Sequence, residues 1–180
     1  MDGNGDSSDS DPVNRESAKL QVITARAAPI DLLRMTPSIG ADALALFIGA
    51  TSVAAARKGS AEYKTAWAAS PVNHVSKDDP PFLLIHGDAD RTVPFQQSEI
   101  MQTALREAGV LVKLIRIEGG DHGPTFPGAK NPPDYKAEIV KCFETHLRAA
   151  EVARIVRFSP TRVWATVSRF NGRICEIRIS

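Results

Sequence analysis

The feature that most constrains the fold is a strand–helix–strand pattern over residues 82–117. Residues 82–85 (FLLI) form a short apolar run between proline and glycine, which is typical of a buried strand. Residues 95–108 carry apolar side chains at helical spacing, again between a proline and a glycine. Residues 110–117 (VLVKLIRI) predict a second strand. A connection of this length makes the two strands parallel, so the sequence predicts an α/β fold.

Polar side chains follow both predicted strands. Asp88 and Asp90 come after the first strand, and Asp121 and His122 come after the second. Because parallel strands end at the same edge of a sheet, and ligands bind beyond that edge, we expect these groups to meet. A histidine beside a carboxylate is the arrangement that activates a serine. The imidazole takes the hydroxyl proton, while the carboxylate fixes the tautomer of the ring.

The sequence HGDADRTVP at residues 86–94, followed by GGDHG at residues 119–123, resembles the C-terminal part of an α/β-hydrolase. The likeness is to bacterial esterases and lipases and to serine peptidases of the prolyl-oligopeptidase type. It implies a partial α/β-hydrolase fold, with parallel strands joined by crossover helices. It also implies that Asp90 is the triad acid and His122 the triad base. Asp88 is the rival for the acid, and the alternative for Asp121 is that it stabilises its turn.

The nucleophile of such a triad is absent from the sequence, which contains neither G-x-S-x-G nor an H-G-G-G loop. Ser60 lacks the second glycine, Ser70 precedes a proline, and Ser98 lies within the predicted crossover helix. The simplest interpretation is a truncated gene product or an incomplete gene model. The resemblance implies a serine hydrolase acting on esters or peptides, here with the Asp/His part of the triad alone. The alternative is an inactive hydrolase remnant that serves as a binding or interaction module.

We expect three segments. Residues 1–18 are acidic and rich in serine and glycine, a composition that favours a flexible segment, although they also resemble the loop after the nucleophile helix. Residues 19–150 are the hydrolase portion. Residues 151–180 carry six arginines against two glutamates and match no feature of the family. In this tail, Asn171-Gly172 predicts a β-hairpin with a two-residue turn. That register would group on one face Trp164, Thr166, Phe170, Cys175, Ile177 and Ile179.

Further elements are predicted within the hydrolase portion: a strand at 20–24, helices at 43–56 and 61–69, and a terminal helix at 134–150. Aromatic side chains on such helices usually pack in the core, so we expect core positions for Phe47 and Trp67. The alternative is that both line a substrate pocket. His86 is expected to hold the end of its strand by hydrogen bonds, without a catalytic role. The other two histidines outside the motif are expected at the surface or on the face of a helix: His74 and His146.

Composition sets limits on the class of partner. The chain has 180 residues and a formal net charge of +1, which argues against a general nucleic-acid binder. Its two cysteines, Cys142 and Cys175, indicate neither a disulfide framework nor a zinc site, and we expect no cofactor. We also expect no membrane partner, because the longest uncharged run is too short to cross a bilayer. The expected partners are a small ester or peptide substrate and, through an unpaired strand edge, either self-association or a missing N-terminal half.

Overall fold

The computed structural model describes residues 5–16, 19–35, 41–49 and 56–147, together with the backbone of three short strands beyond residue 157. The main part contains three strands, four α-helices and two short 3₁₀ helices. The strands are β1 (Ile23–Arg26), β2 (Phe82–Gly87) and β3 (Val112–Ile117). The α-helices are α1 (Ala41–Phe47), α2 (Ala61–Ala69), α3 (Gln96–Glu107) and α4 (Tyr135–His146). The 3₁₀ helices are Leu32–Arg34 and Pro71–His74.

Strand β2 is the centre of the sheet. The strand order is β1-β2-β3, and β2 is parallel to both neighbours. Every residue of β2 is buried, as expected for a parallel strand covered on both faces. The predicted α/β architecture, with parallel strands joined by a crossover helix, is therefore confirmed.

Successive residues of β2 pack against different helices. Leu84 lies in one apolar cluster with Met101 and Leu105 of α3. Leu83 lies in a second cluster with Ile139 of α4. Successive side chains of a strand point to opposite faces, so the apolar run of β2 joins both layers to the sheet. The two loops that follow β2 and β3 are held at one edge of this sandwich.

Some predicted boundaries shift. The strand expected at 20–24 begins at Ile23 and runs to Arg26, while Leu20 is 64% exposed. The helix predicted at 61–69 is confirmed, because Ser60 caps its first turn and Ser70 ends it. The helix expected at 43–56 is found as α1, and residues 50–55 lie outside the described part. The terminal helix stops at His146, where Leu147 is already extended.

The expectation that Phe47 of α1 and Trp67 of α2 lie in the core is wrong. Phe47 is 76% exposed and Trp67 is 47% exposed. Their neighbours in the sequence are buried instead: Ile48, directly after α1, and Ala66 in α2. Because successive helical residues are about 100° apart around the axis, burial of one residue turns the adjacent one away from the core.

The tail contains β4 (Phe158–Ser159), β5 (Arg162–Ser168) and β6 (Ile174–Arg178). β5 and β6 pair antiparallel, as the hairpin prediction requires, but in a different register. Trp164 is opposite Arg178 and Thr166 is opposite Glu176, whereas the two-residue turn would place them opposite Ile179 and Ile177. The observed backbone pairing is therefore shifted by one residue from the predicted register, and the predicted grouping concerns side chains that lie outside the described part. Residues 169–173 lie outside the described part.

Within the described residues, no helix is both long enough and apolar enough to cross a membrane.

A buried glutamine ties α3 to the segment that follows β1. The side-chain oxygen of Gln97 accepts hydrogen bonds from the backbone N–H groups of Ile30, at 2.8 Å, and Asp31, at 2.7 Å. Its amide nitrogen donates to the carbonyl oxygen of Arg34 at 3.2 Å. Gln97 itself is fully buried. Because buried backbone donors need acceptors, this one side chain stabilises the turn at residues 30–34.

We expect Gln97→Leu to lower the free energy of unfolding by about 1–3 kcal/mol, because two buried N–H groups lose their acceptor. Urea denaturation followed by circular dichroism measures the change. The matched control is Gln96→Leu, at an exposed position of the same helix. Equal urea midpoints for the two variants would contradict this role of Gln97.

Candidate active site

The structure brings together the two residues predicted to act as a pair. The loop after β2 carries Asp90 and the loop after β3 carries His122. The Nδ1 atom of His122 donates to Oδ2 of Asp90 at 2.9 Å. The predicted contact between these two side chains is therefore confirmed, and it follows from the parallel pairing of the strands.

The carboxylate of Asp90 is held from several sides. Its side chain is 0% exposed. Oδ1 accepts hydrogen bonds from the backbone N–H groups of Thr92, at 2.9 Å, and Val93, at 2.8 Å. Buried carboxylates require such partners, and two amides on one oxygen fix the plane of the group. The other oxygen, Oδ2, is thereby directed to His122.

The ring of His122 is oriented for proton transfer. A carboxylate only accepts hydrogen bonds, so the contact with Asp90 places a hydrogen on Nδ1 of the ring. In the neutral ring the lone pair is then on Nε2, and no described residue hydrogen-bonds to that atom. The side chain is 40% exposed, so Nε2 is open to a reacting group. This arrangement can accept a proton at Nε2 and stabilise the resulting imidazolium through Nδ1.

Asp88, the rival acid, lies elsewhere. Its Oδ2 accepts from Nε of Arg116 at 2.7 Å and its Oδ1 accepts from the backbone N–H of Gly119 at 2.7 Å. The hydrogen bond from Arg116 is the main cause that lowers the pKa of Asp88 below its usual value. Asp88 therefore joins the two loops near the strand ends, and the contact with His122 belongs to Asp90.

Asp121 stabilises its turn and also bridges the two loops. Oδ1 accepts from the backbone N–H groups of His122, at 2.8 Å, and Arg91, at 3.1 Å. Oδ2 accepts from the Arg91 guanidinium, at 2.9 Å from Nε and 2.6 Å from the terminal nitrogen. The backbone hydrogen bond from Arg91 is the largest cause that lowers the pKa of Asp121 to about 2. Stabilisation of the turn by Asp121 was one of the interpretations drawn from the sequence, but no residue spacing indicates the contact between Asp121 and Arg91.

The loop that carries His122 is also anchored to β1 and α4. Arg26 donates to the carbonyl oxygen of Pro124 at 2.6 Å, and its guanidinium lies 5.0 Å from the ring of Phe126. The same guanidinium lies 5.3 Å from the ring of Tyr135. A cation over aromatic faces is attracted by their negative electrostatic potential. Phe126 adopts a left-handed φ of 51°, a strained conformation that its complete burial holds in place.

Two glycines allow the loops to approach each other. A Cβ atom on Gly87, the last residue of β2, would overlap the carbonyl oxygen of Gly120. That carbonyl accepts the backbone N–H of Ala89 at 3.1 Å. The absence of side chains is thus what permits close backbone contact between the loops that carry Asp90 and His122.

The other histidines have the positions expected of them. The ring of His86 is fully buried and hydrogen-bonded at both nitrogens, to Ser98 and to the carbonyl oxygen of Val93, as its expected structural role requires. His74 is exposed, and His146 is half-buried in the last turn of α4. Within the described residues, no group of three or more acidic, cysteine or histidine side chains could hold a metal ion.

A parallel sheet with an aspartate and a histidine on neighbouring loops beyond its carboxyl edge is the C-terminal part of an α/β-hydrolase fold. The chain matches the BD-FAE family model over residues 2–105 and belongs to that family.

The relatives of this chain are hydrolases. It is 31% identical to the esterase LipC of Mycobacterium tuberculosis over 90 residues, which are 49% of this chain and 22% of LipC. It is 32% identical to the uncharacterized peptidase YuxL of Bacillus subtilis over 62 residues, which are 34% of this chain and 9% of YuxL. A solved structure, a truncated form of a carbohydrate esterase from gut microbiota, is 31% identical with a TM-score of 0.53. That match covers 62% of this chain and 38% of the esterase. The chain thus spans less than half of each.

We expect the contribution of Asp121 to stability to depend on pH. Its folded pKa of about 2 lies below the ordinary 3.8, so the contribution is complete above pH 3.8 and is lost as the pH falls towards 2. The urea midpoint of Asp121→Asn should therefore lie below that of the parent chain at neutral pH. The difference should shrink progressively as the pH falls below about 4.

The matched control for this titration is Asp78→Asn, which removes an exposed partner of Lys77 far from the loops. Its midpoint should differ little from that of the parent chain at any pH, because exposed pairs contribute little. A difference between Asp121→Asn and the parent that stays constant from neutral to acidic pH would contradict the bridging role of the ionised carboxylate.

Proposed function

We propose that this chain supplies the acid–base pair of a serine hydrolase that cleaves esters or peptides. In this proposal Asp90 orients His122, and His122 is the general base. The observation that carries it is the 2.9 Å hydrogen bond from the histidine ring to a fully buried carboxylate. Family membership supports it, because the matching relatives include an esterase and a peptidase.

The proposed reaction is acyl transfer in two steps. Nε2 of His122 takes the proton of a serine hydroxyl while the serine oxygen attacks the substrate carbonyl carbon. The imidazolium, stabilised by Asp90, then gives this proton to the leaving alcohol or amine, and an acyl-enzyme remains. In the second step water gives a proton to His122 and attacks the acyl carbon, and the proton returns to the serine. Ester and peptide substrates share this chemistry.

None of the three serines weighed as a nucleophile is placed for that role. Ser98 is buried against His86, and Ser70 is buried with its hydroxyl on the backbone of Leu32 and Ala66. Ser60 caps α2 through the backbone N–H of Tyr63. Each hydroxyl is committed to a structural contact, and none of them contacts His122. We therefore assign the nucleophile and the oxyanion donors to a segment that this sequence does not contain.

The edge of β1 is the place proposed for that segment. Among the described strands of this sheet, β1 and β3 each have a partner on one side only, and the unpaired groups described next distinguish β1. The backbone N–H groups of Ile23 and Ala27 donate to β2 and the residue before it, so those of the alternate residues, such as Thr24, face the other side. The Thr24 hydroxyl is also buried without a hydrogen-bond partner. A further parallel strand would satisfy these groups, and self-association through the same edge is the competing outcome.

The second candidate is a catalytically inactive remnant that binds a partner. The absence of a serine nucleophile from the sequence favours it for the isolated chain. The oriented Asp90–His122 pair favours the first candidate, because a binding module has no use for a histidine held in one tautomer by a buried carboxylate.

We expect the chain alone to show no esterase activity on p-nitrophenyl acetate above the free-imidazole background, and no labelling by a fluorophosphonate probe. Without oxyanion donors, each worth on the order of 10²–10³ in rate, and without a serine, no acyl-enzyme forms. Saturable turnover by the chain alone that His122→Ala abolishes would mean that the sequence holds an unrecognised nucleophile.

A polypeptide that carries a G-x-S-x-G strand–turn–helix should restore fluorophosphonate labelling when it is mixed with this chain. In the mixture, Asp90→Asn should lower the rate by on the order of 10⁴-fold, as expected for loss of the acid. The matched control is His74→Ala, at an exposed histidine, which should leave labelling unchanged. A complex that forms and stays unreactive would favour the binding module.

A further inference from the structure

The ring of His86 lies where three parts of the fold meet. It belongs to β2 and is fully buried. Its Nδ1 atom is 2.7 Å from the hydroxyl of Ser98 on α3. Its Nε2 atom is 2.9 Å from the carbonyl oxygen of Val93 and 3.3 Å from Oδ2 of Asp90. The mechanism described above gives no task to this ring.

The partners of His86 determine its tautomer. A carbonyl oxygen only accepts hydrogen bonds, so Nε2 carries a hydrogen that it donates to Val93, and the same N–H group lies beside the carboxylate of Asp90. Burial is the main cause that lowers the pKa of His86, so the ring is neutral and Nδ1 has the lone pair. The Ser98 hydroxyl therefore donates to Nδ1. Hydrogen bonds then run in one direction, from Ser98 through His86 to Val93, and the positive end of the Nε2–H group faces Oδ2 of Asp90 at 3.3 Å.

We propose that His86, held by Ser98, is a positioning residue for Asp90 in the acid–base pair. Oδ2 of Asp90 lies between two imidazole rings, one buried and one partly exposed. His86 approaches from the protein interior and His122 from the solvent side. With Oδ1 fixed by backbone amides, the contact with His86 prevents Oδ2 from turning away from His122.

A second contact of His86 reinforces this effect. The residue whose carbonyl oxygen accepts from Nε2, Val93, is also a residue whose N–H donates to Oδ1 of Asp90. His86 thus holds the carboxylate directly and holds the turn that supplies one of its donors. The ring cannot rotate freely, because Phe95 packs against it edge-on at a centroid distance of 5.7 Å. This inference rests on the proposed function only in assigning a use to the oriented pair.

The test measures the hydrogen bond that His86 is proposed to maintain. In the ¹⁵N-labelled full chain, the Nδ1 proton of His122 gives an NMR signal whose exchange with water reports its bond to Asp90. We expect His86→Leu to accelerate this exchange about tenfold, because the bond between His122 and Asp90 should weaken by about the contribution of one hydrogen bond. His86→Gln keeps a donor at the end of the side chain and should restore most of the protection.

Ser98→Ala removes the hydroxyl that contacts Nδ1 of His86 and leaves the ring itself unchanged. It should accelerate the exchange by a smaller factor, about threefold, because His86 loses the partner that fixes its tautomer. The matched control is Thr103→Ala on the same helix, where the lost hydroxyl bonds only to the backbone of Glu99 at the surface. That variant should exchange at the parent rate.

Circular dichroism and urea midpoints show which variants are folded. A folded His86→Leu with parental exchange at His122 would overturn the proposal. If His86→Leu does not fold, Ser98→Ala decides, and parental exchange in that variant would overturn it as well. In the complemented hydrolase, His86→Leu should lower kcat and leave KM unchanged. A complemented enzyme that is inactive while the exchange pattern holds would refute the proposed function and leave this inference standing.

Discussion

The parallel pairing of β2 with β3 is the constraint on which the site depends. β2 is buried along its whole length, and α3 returns the chain so that β3 runs in the same direction. Both strands therefore end at one edge, and the residues after them must share the space there. The absence of a Cβ atom on Gly87 lets the backbone approach Gly120 closely enough for the two loops to hydrogen-bond.

The charged contacts around this edge act mainly on the loops. Arg91 is 77% exposed where it pairs with Asp121, and Arg116 is 66% exposed where it pairs with Asp88. An exposed side-chain pair alone contributes little to the free energy of unfolding, so the stabilisation expected of Asp121 comes mainly from the backbone hydrogen bonds that it accepts. Each carboxylate also accepts a backbone N–H from a loop, which restricts the loop geometry locally. These hydrogen bonds hold the two loops against each other, and the apolar clusters on the two faces of β2 stabilise the domain.

The sequence predicted the features that depend on local patterns. Apolar runs and helical spacing identify β2, α3 and β3, and the bounds predicted for α2 are the observed ones. The meeting of the two polar loops was predictable because parallel strands end at one edge, whereas the choice of Asp90 over Asp88 as the partner of His122 came from the family resemblance. The partners of Gln97, the Arg91–Asp121 bridge and the link from Ser98 to Asp90 were not predictable. They join side chains distant in sequence, and their pairing depends on packing that no residue spacing records.

The exposed aromatic residues and the hairpin register show a second limit of sequence patterns. Residue type predicts burial for Phe47 as well as for Ile48, and only the helix rotation decides which one faces the core. In the same way, Asn171-Gly172 identifies a turn, but the pairing of Trp164 with Arg178 depends on how many residues the turn uses. In both cases the structure differs from the prediction by one residue, while the predicted helix or hairpin itself is present.

The proposed acid–base pair is organised without any contribution from a nucleophile. The contacts that fix the Asp90 carboxylate come from its own loop, from His122 and from the buried ring of His86. The loop of His122 is fixed in turn by Arg26, Tyr135 and Asp121. In the proposed mechanism, orientation of the base therefore costs no further entropy when a serine arrives, and that entropy is a large part of what enzymes save by positioning. A segment that brings a serine to β1 would meet a histidine already in the required tautomer, so its binding needs to place only the nucleophile and the oxyanion donors.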